Sequence, residues 1–475
     1  MRKNIRRIQF ITVPSGLEMG RCKMPFYSNA PIAFLWLAAH LESEGIDCHI
    51  LDAYTENLGI EGILLDIARY RPDIVGLSVF TVAVYDNLFL AKKIKETFPE
   101  IIIIAGGYHV NHSWDEILES GVVDFCALRE GEFTLLELIE CLNQGGDPLQ
   151  VKGIALKQDG QTARTINRPF RQAFDSIPIL PYKKIAHNNY IPWCFNKRRK
   201  GKFFQIVTSK GCPMQCMFCD IAKTEGKKFR FMSPERVLKE IEYLYYSLGA
   251  KQIEFLDALF TTNKKRVKDV SSMIIQRKID IDWACSSSIL HADDIQMLDI
   301  MRRSGCKAIF YGVESGNSQM LRNVKKVSIN KVKRVVDMTK KVGMRAHTSF
   351  IFGLPGETKE TMRETVDFAK SLNPDSVSFS IAIPFKGTEL YEIYKDKIFI
   401  SDYRRFVASA VFNVDEYTPQ YIEEMVIKAH REFYLRPKYI LSKLRNLVTW
   451  QDFCVHAKIG IGFLRGKLSY KIGQS

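Results

Sequence analysis

No apolar run in this 475-residue chain approaches the length needed to span a bilayer, which argues against an integral helical membrane protein. The basic start, Met1 to Ile8, is not followed by a long apolar stretch, because Pro14 interrupts it. Export is therefore not expected, and a cytoplasmic location is. The chain has no long Lys/Arg block, although Lys and Arg outnumber Asp and Glu by 68 to 53. A dispersed excess of +15 gives little support to nucleic-acid binding. It leaves room for phosphates, other anions or an anionic membrane face. Internal repeats and low-complexity tracts are also missing. In a reducing compartment the 11 cysteines are expected to be thiols or metal ligands rather than disulfides. The 46% hydrophobic content is ample for a core, and the length allows two to four domains.

Three of those cysteines stand close together, at Cys212-Pro-Met-Gln-Cys216-Met-Phe-Cys219. The loop follows an apolar run, Phe203–Ser209, which is predicted as a strand. No fourth cysteine is nearby: Cys194 lies upstream, and Cys285 and Cys306 fall on later strands. A structural zinc site wants four ligands, usually in paired short spacings. Simple packing of three thiols is an alternative, since free cysteine behaves as a small hydrophobe. Pro and Gln in the loop are poor core residues. Three thiolates fit three irons of a cubane cluster and leave one iron open to an outside ligand.

This CxxxCxxC loop, with Phe218 just before the third cysteine, resembles the radical S-adenosylmethionine superfamily. The flanking sequence resembles the branch with an N-terminal cobalamin-binding domain, over roughly residues 5 to 445. The resemblance implies three cofactors: a 4Fe–4S cluster on Cys212, Cys216 and Cys219, S-adenosyl-L-methionine, and cobalamin. It implies that the open iron chelates S-adenosylmethionine and that the cluster cleaves it to a 5′-deoxyadenosyl radical. An electron donor such as flavodoxin or ferredoxin is then required.

Residues 1–145 alternate apolar runs (Ile8–Val13, Cys48–Leu51, Ile74–Ser78, Ile101–Ala105, Phe125–Leu128) with helical patterns such as Pro31–Glu44 and Val84–Thr97. That alternation predicts a parallel sheet covered on both faces, in a flavodoxin-like doubly wound domain. Ligands in such folds bind beyond the carboxyl ends of the strands. Gly76-Leu-Ser78 and Ala105-Gly106-Gly107-Tyr108-His109 fall there, and ordinary turn glycines would explain them by spacing alone. The resemblance places Ser78, Gly106, Gly107 and Tyr108 around cobalamin. The Asp-x-His-x-x-Gly motif that supplies a lower-axial histidine in many cobalamin carriers is absent, since the first loop reads Pro14-Ser-Gly-Leu-Glu-Met-Gly20. His109 is expected to be a loop histidine.

Residues 146–200 form an expected connector, with a hairpin around Asp159-Gly160. Residues 201–395 give six further βα units, with strands expected at Phe203–Ser209, Gln252–Leu256, Asp282–Ser286, Ala308–Val313, Ala346–Phe352 and Ser376–Ile383. This fits a partial (β/α)6 barrel, whose site lies at the strand ends. The segment Glu254-Phe-Leu-Asp257 resembles a family segment with two adjacent acids, of which the second is Ala258 here. Glu314 and Ser315 end the fourth strand. A charge at the end of an apolar strand needs a cation or water, so a lysine salt bridge competes with contact to S-adenosylmethionine. Gly353 and Pro355, in Phe352-Gly-Leu-Pro-Gly-Glu357-Thr358, resemble a signature near the adenine and methionine. The Pro384–Thr388 segment resembles a family stretch in which Phe385 and Lys386 are departures. The resemblance thus makes Phe218, Asp257, Glu314, Ser315, Gly353 and Pro355 cofactor-contact candidates.

Residues 396–475 are expected to be helical. The mixed aromatic and basic segment Leu441–Ser475 suits a peripheral helix packed on its own domain, or contact with an anionic membrane. The leading functional expectation is a C-methyltransferase acting on an unactivated carbon of a small molecule or lipid, with methylcobalamin as methyl donor. The alternatives are a ring-forming oxidative cyclase, on a tetrapyrrole or similar substrate, and a non-catalytic cobalamin sensor or carrier.

Overall fold

The structure, a computed structural model, describes residues 4–14, 16–18, 29–192, 194–195, 199–406 and 409–445. Most of the aromatic and basic C-terminal segment, from residue 446 on, lies outside the described residues, as do residues 15, 19 and 20 of the first loop.

The first sheet is built from β1 (Arg7–Ile11), β2 (Asp47–Leu51), β3 (Ile74–Ser78), β4 (Ile102–Gly106), β5 (Phe125–Ala127), β6 (Ile154–Gln158) and β7 (Gln161–Arg164). Its order is β2-β1-β3-β4-β5-β6-β7. The first five strands are parallel, in the doubly wound order expected. Helices Ile32–Ser43, Ile60–Tyr70, Val84–Thr97, Val110–Glu119 and Glu132–Gln144 connect and follow them. Burial explains the continuous apolar runs: β1, β3 and β4 are buried at nearly every residue, as strands covered on both faces must be. The hairpin of the expected connector joins this same sheet, with β6 antiparallel to β5 and to β7. Asp159 and Gly160 both take positive φ, the two-residue turn that suits the twist of a hairpin.

The expected strand 203–209 is broken. It ends as β8 (Lys202–Ile206), and Ser209–Lys210 forms a separate β9 paired with β10 (Arg230–Phe231). The cause is Asp257, whose carboxylate accepts the Thr208 N–H at 2.6 Å and the Thr208 and Ser209 hydroxyls at 2.7 and 2.6 Å. The second large sheet continues with β11 (Ala250–Phe255), β12 (Asp282–Ser288), β13 (Cys306–Glu314), β14 (Arg345–Phe352) and β15 (Ser376–Ile381). Its strands lie side by side in chain order, β8-β11-β12-β13-β14-β15, as a partial barrel of six parallel strands followed by a helical region. The last strand stops two residues short of the expected Ile383. Local signals hold the helix starts. Ser233 and Thr418 accept backbone N–H groups ahead of Pro234 and Pro419, and Thr358 with Thr361 closes a capping box.

By contact density the chain divides into two compact units. One comprises residues 1–214, 221–258 and 265–284, and the other residues 215–220, 259–264 and 285–475. Among the described residues no helix is long and apolar enough to cross a membrane.

Candidate active site

In the first unit, β3 and β4 bring Ser78 and Gly106 side by side as register partners. Gly107 follows with φ +103°, and a Cβ there would lie 2.9 Å from the Val79 carbonyl oxygen. A side chain is thus barred at this strand end by the Val79 backbone. Phe80 and Tyr108 stand beside it as an exposed aromatic pair, with ring centroids 5.9 Å apart. His109 is buried with its Nδ1 3.2 Å from Thr81 Oγ1, in keeping with a loop histidine.

The same loop reaches the residues ahead of the first cysteine. Tyr108 Oη donates to Glu225 Oε1 at 2.7 Å, and Glu225 Oε2 accepts the Gly211 N–H at 3.2 Å. Cys212 is buried, and its N–H donates to the Gly226 carbonyl at 2.9 Å. Gly211 has φ +83° and faces the Lys228 carbonyl, so only glycine makes this turn without displacing backbone. Asp257, one of the expected cofactor contacts, is 1% exposed and spends both carboxylate oxygens on Thr208 and Ser209. Arg266 holds the same corner from the other side, donating to the Thr208 carbonyl and hydroxyl.

Cys216 and Cys219 lie in the second unit, both half-buried, in a turn closed by Cys219 N–H to Cys216 carbonyl at 3.0 Å. Leu390 N–H, at the start of helix Glu389–Tyr394, donates to the Met217 carbonyl at 2.8 Å. The helix that Thr388 caps, following the Pro384–Thr388 segment, thereby meets the cysteine loop.

The residue that sequence reasoning missed is Lys325. It ends helix Ser318–Lys325, where a lysine is ordinarily a solvated complement to the helix dipole. Instead its side chain is only 14% exposed. Its Nζ lies 3.0 Å from Glu314 Oε1 and 5.7 Å from the centre of the Phe218 ring. Burial alone would lower the Lys325 pKa, but Glu314 and then the Cys216 thiol raise it above its ordinary value. Burial keeps the Cys216 thiol high, with Lys325 pulling it down. One ammonium therefore serves a carboxylate and a candidate cluster ligand at once. Of the two readings of Glu314, the salt bridge to a lysine is the contact present. Glu314 sits at a register shift in β13 with φ +76°, a strained conformation for a non-glycine residue. Ser315 is fully buried, 3.3 Å from Thr365 Oγ1 and accepting the Asn317 N–H.

After β14, the Gly353 N–H donates to Glu357 Oε2 at 2.6 Å, beside Pro355. Glu357 is 1% exposed, and burial pushes its pKa up to about 8 despite the backbone N–H groups of Gly353 and Leu354. It holds the Gly353–Pro355 turn chiefly as a neutral acid at neutral pH.

Among the described residues no three or more His, Cys, Asp or Glu side chains converge where a single metal ion would sit.

Two family models match the chain: the radical SAM superfamily over residues 206–369 and the B12 binding domain over residues 26–139. The chain is 33% identical to an uncharacterized methyltransferase, PH0819, of Pyrococcus horikoshii, over 88% of this chain and 90% of the relative. The protein belongs to the cobalamin-dependent branch of the radical S-adenosylmethionine enzymes. Its cofactors are accordingly a 4Fe–4S cluster, S-adenosylmethionine and cobalamin. It is also 27% identical to the anaerobic magnesium-protoporphyrin IX monomethyl ester cyclase of Rubrivivax gelatinosus, over 92% of this chain and 80% of that one. The fold is shared with a radical S-adenosylmethionine methyltransferase, TsrM, from Kitasatospora setae, solved with cobalamin and cluster bound. The TM-score is 0.67 at 18% identity, covering 83% of this chain and 75% of that chain.

Two outcomes follow from the buried carboxylates. Lys325→Met strands Glu314 without its cation and should cost about 3–5 kcal/mol, while adding Glu314→Gln should recover most of the loss. Urea midpoints of the single and double variants check this, and additive losses would show that the pair is not coupled. Glu357 keeps its proton to about pH 8 in the folded chain, whereas the unfolded chain releases it near 4.5. Its contribution therefore makes stability fall as pH rises through that window. Glu357→Gln should flatten that fall in urea midpoints taken from pH 5 to 8.

Proposed function

We propose that the protein transfers a methyl group to an unactivated carbon of a small-molecule or lipid substrate. The observation that carries this reading is the presence, in one chain, of the cysteine loop and the glycine-lined strand ends of a doubly wound sheet. In the proposal Cys212, Cys216 and Cys219 hold the cluster. Phe218, Glu314, Ser315, Gly353 and Pro355 border S-adenosylmethionine, and Ser78, Gly106, Gly107 and Tyr108 border cobalamin. When bound, the cluster and S-adenosylmethionine supply a 5′-deoxyadenosyl radical, and cobalamin supplies the methyl group.

The chain's own residues supply position. Asp257 and Arg266 act behind the site by fixing Thr208 and Ser209, from which the cysteine loop departs. Glu225 ties the Tyr108 loop to Gly211, just ahead of the first cysteine. Lys325 places positive charge beside Cys216, which offsets part of the cost that burial sets on charge there. A reducing, cytoplasmic compartment, where thiols persist, is part of the proposal. A second reading, oxidative ring closure without net methyl transfer, is favoured by the extent of the likeness to the cyclase.

Anaerobic incubation with cobalamin, reductant, methyl-labelled S-adenosylmethionine and a cell extract separates the two. Label in a carbon-linked position is the expected result, and an unlabelled, dehydrogenated or cyclised product would establish the second reading instead. Replacing the three cysteines with Ala should abolish both the cluster absorbance and S-adenosylmethionine cleavage. Gly107→Val should leave the cysteine loop intact but lower cobalamin retention after desalting, because its side chain meets the Val79 backbone.

A further inference from the structure

Beside the cysteine loop, within the first unit, lies a cleft of about 470 Å³ walled by Arg129, Lys223, Lys227, Lys228 and Arg230, with no carboxylate in its lining. Phe170 lies between two guanidinium groups, Arg129 at 4.8 Å and Arg230 at 4.9 Å from its ring centre. Arg230 is neutralised by Glu130 at 2.7 Å. Two other cations keep their charge uncompensated. Lys228 Nζ donates to the neutral Gln172 amide at 3.3 Å, and Arg129 rests on Phe170. Burial, then the nearby Arg164 charge, lowers the Arg129 pKa, as expected where like charges crowd. Lys223, Lys227 and Lys228 are exposed at the rim. The rim lysines make this a locally cationic surface.

The wall of this cleft is also the backing of the cluster loop. Gly226 lines the cleft, and its carbonyl accepts the Cys212 N–H at 2.9 Å. One hydrogen bond therefore separates the cationic surface from the backbone of the first cysteine. We propose that this surface docks an acidic one-electron carrier protein of the flavodoxin type, and that the electron for the cluster enters on the Cys212 side. The proposal rests on the cluster reading above. In the step, the reduced flavin gives up one electron and the oxidised cluster takes it up, and no heavy atom or group is transferred. Rim lysines suit such a partner because exposed charges steer encounter and release, and so act on association rate rather than on the chemistry.

The test uses reconstituted holoenzyme and the double variant Lys227→Glu, Lys228→Glu, with Lys227→Gln, Lys228→Gln as the milder pair. Cluster reduction is followed optically with two donors, reduced flavodoxin and the cationic radical of methyl viologen. With flavodoxin at low salt, the charge-reversed protein should be reduced about tenfold or more slowly, and the Gln pair should fall between. Added salt should slow the wild type and narrow the gap, since exposed charges are screened beyond about 10 Å at 0.1 M. Methyl viologen, itself a cation, should reduce the charge-reversed protein no more slowly than the wild type. Calorimetry on cluster-free protein gives an independent readout: flavodoxin binding should weaken in the same order. Equal flavodoxin rates and affinities in all three proteins would overturn the proposal. So would parallel losses with both donors, or loss of cobalamin retention, which would make the cleft a cofactor or substrate site. A wild type that takes up no iron–sulfur cluster on reconstitution would overturn the cluster reading itself.

Discussion

The candidate site depends on a row of buried ion pairs behind the cysteine loop. Lys210, on β9, pairs with Glu132 at 3.2 Å, and Arg230, on the paired strand β10, pairs with Glu130 at 2.7 Å. Burial works against both charges of the first pair. Even so, Lys210 holds the Glu132 carboxyl below its ordinary range, and Glu132 holds Lys210 above its own. Buried pairs of this kind add little net stability, because desolvation consumes most of the Coulomb gain. Their effect is positional. A two-residue ribbon has few ladder hydrogen bonds to fix it, and these charges attach it at two adjacent points to the turn that opens helix Glu132–Gln144. Lys210 also lies 4.6 Å from the Trp36 ring, and Arg230 over both Phe170 and Phe174, so aromatic faces reinforce the same register.

Much of the fold was legible because burial leaves a mark on the sequence. Ile74–Ser78 and Val84–Thr97 have the bounds that their apolar patterns indicated. Strands covered on both faces must be continuously apolar, and the helices between them must cross over. What was not legible are interactions between residues far apart in the chain. Phe203–Ser209 looks like one strand, yet Asp257, about fifty residues on, captures the Thr208 N–H and ends it. Lys325 has the sequence signature of an exposed helix end, and only the packing of its helix turns it inward. The need for it was visible, since Glu314 at the end of an apolar strand demanded a cation. The identity of that cation was not.

Glu314 shows how the strand end is shaped for more than packing. The register of β13 against β14 slips between Gly312 and Glu314, and Glu314 takes φ +76°. A residue with a Cβ in that region carries strain of order 1–3 kcal/mol, and persists there only when its surroundings over-determine it. The Lys325 ion pair is one such constraint. Ser315, locked against Thr365 and the Asn317 N–H, is the other. A bulge at this point re-aims the carboxylate relative to the regular alternation of the strand. The pair thus has two consequences. It satisfies a buried acid, and it holds a lysine next to Cys216.

Glu225 extends the same reasoning to the Tyr108 loop and the residues ahead of Cys212, within the first unit. Its two oxygens accept from Tyr108, at the end of β4, and from Gly211, next to the first cysteine. Its backbone carbonyl accepts from Arg230, the residue already anchored by Glu130. The Tyr108 loop is therefore referenced to the residues ahead of Cys212 by a single carboxylate that cannot move without disturbing the ribbon. Within the first unit, one carboxylate braced by a charged ribbon thus holds Tyr108 beside Gly211.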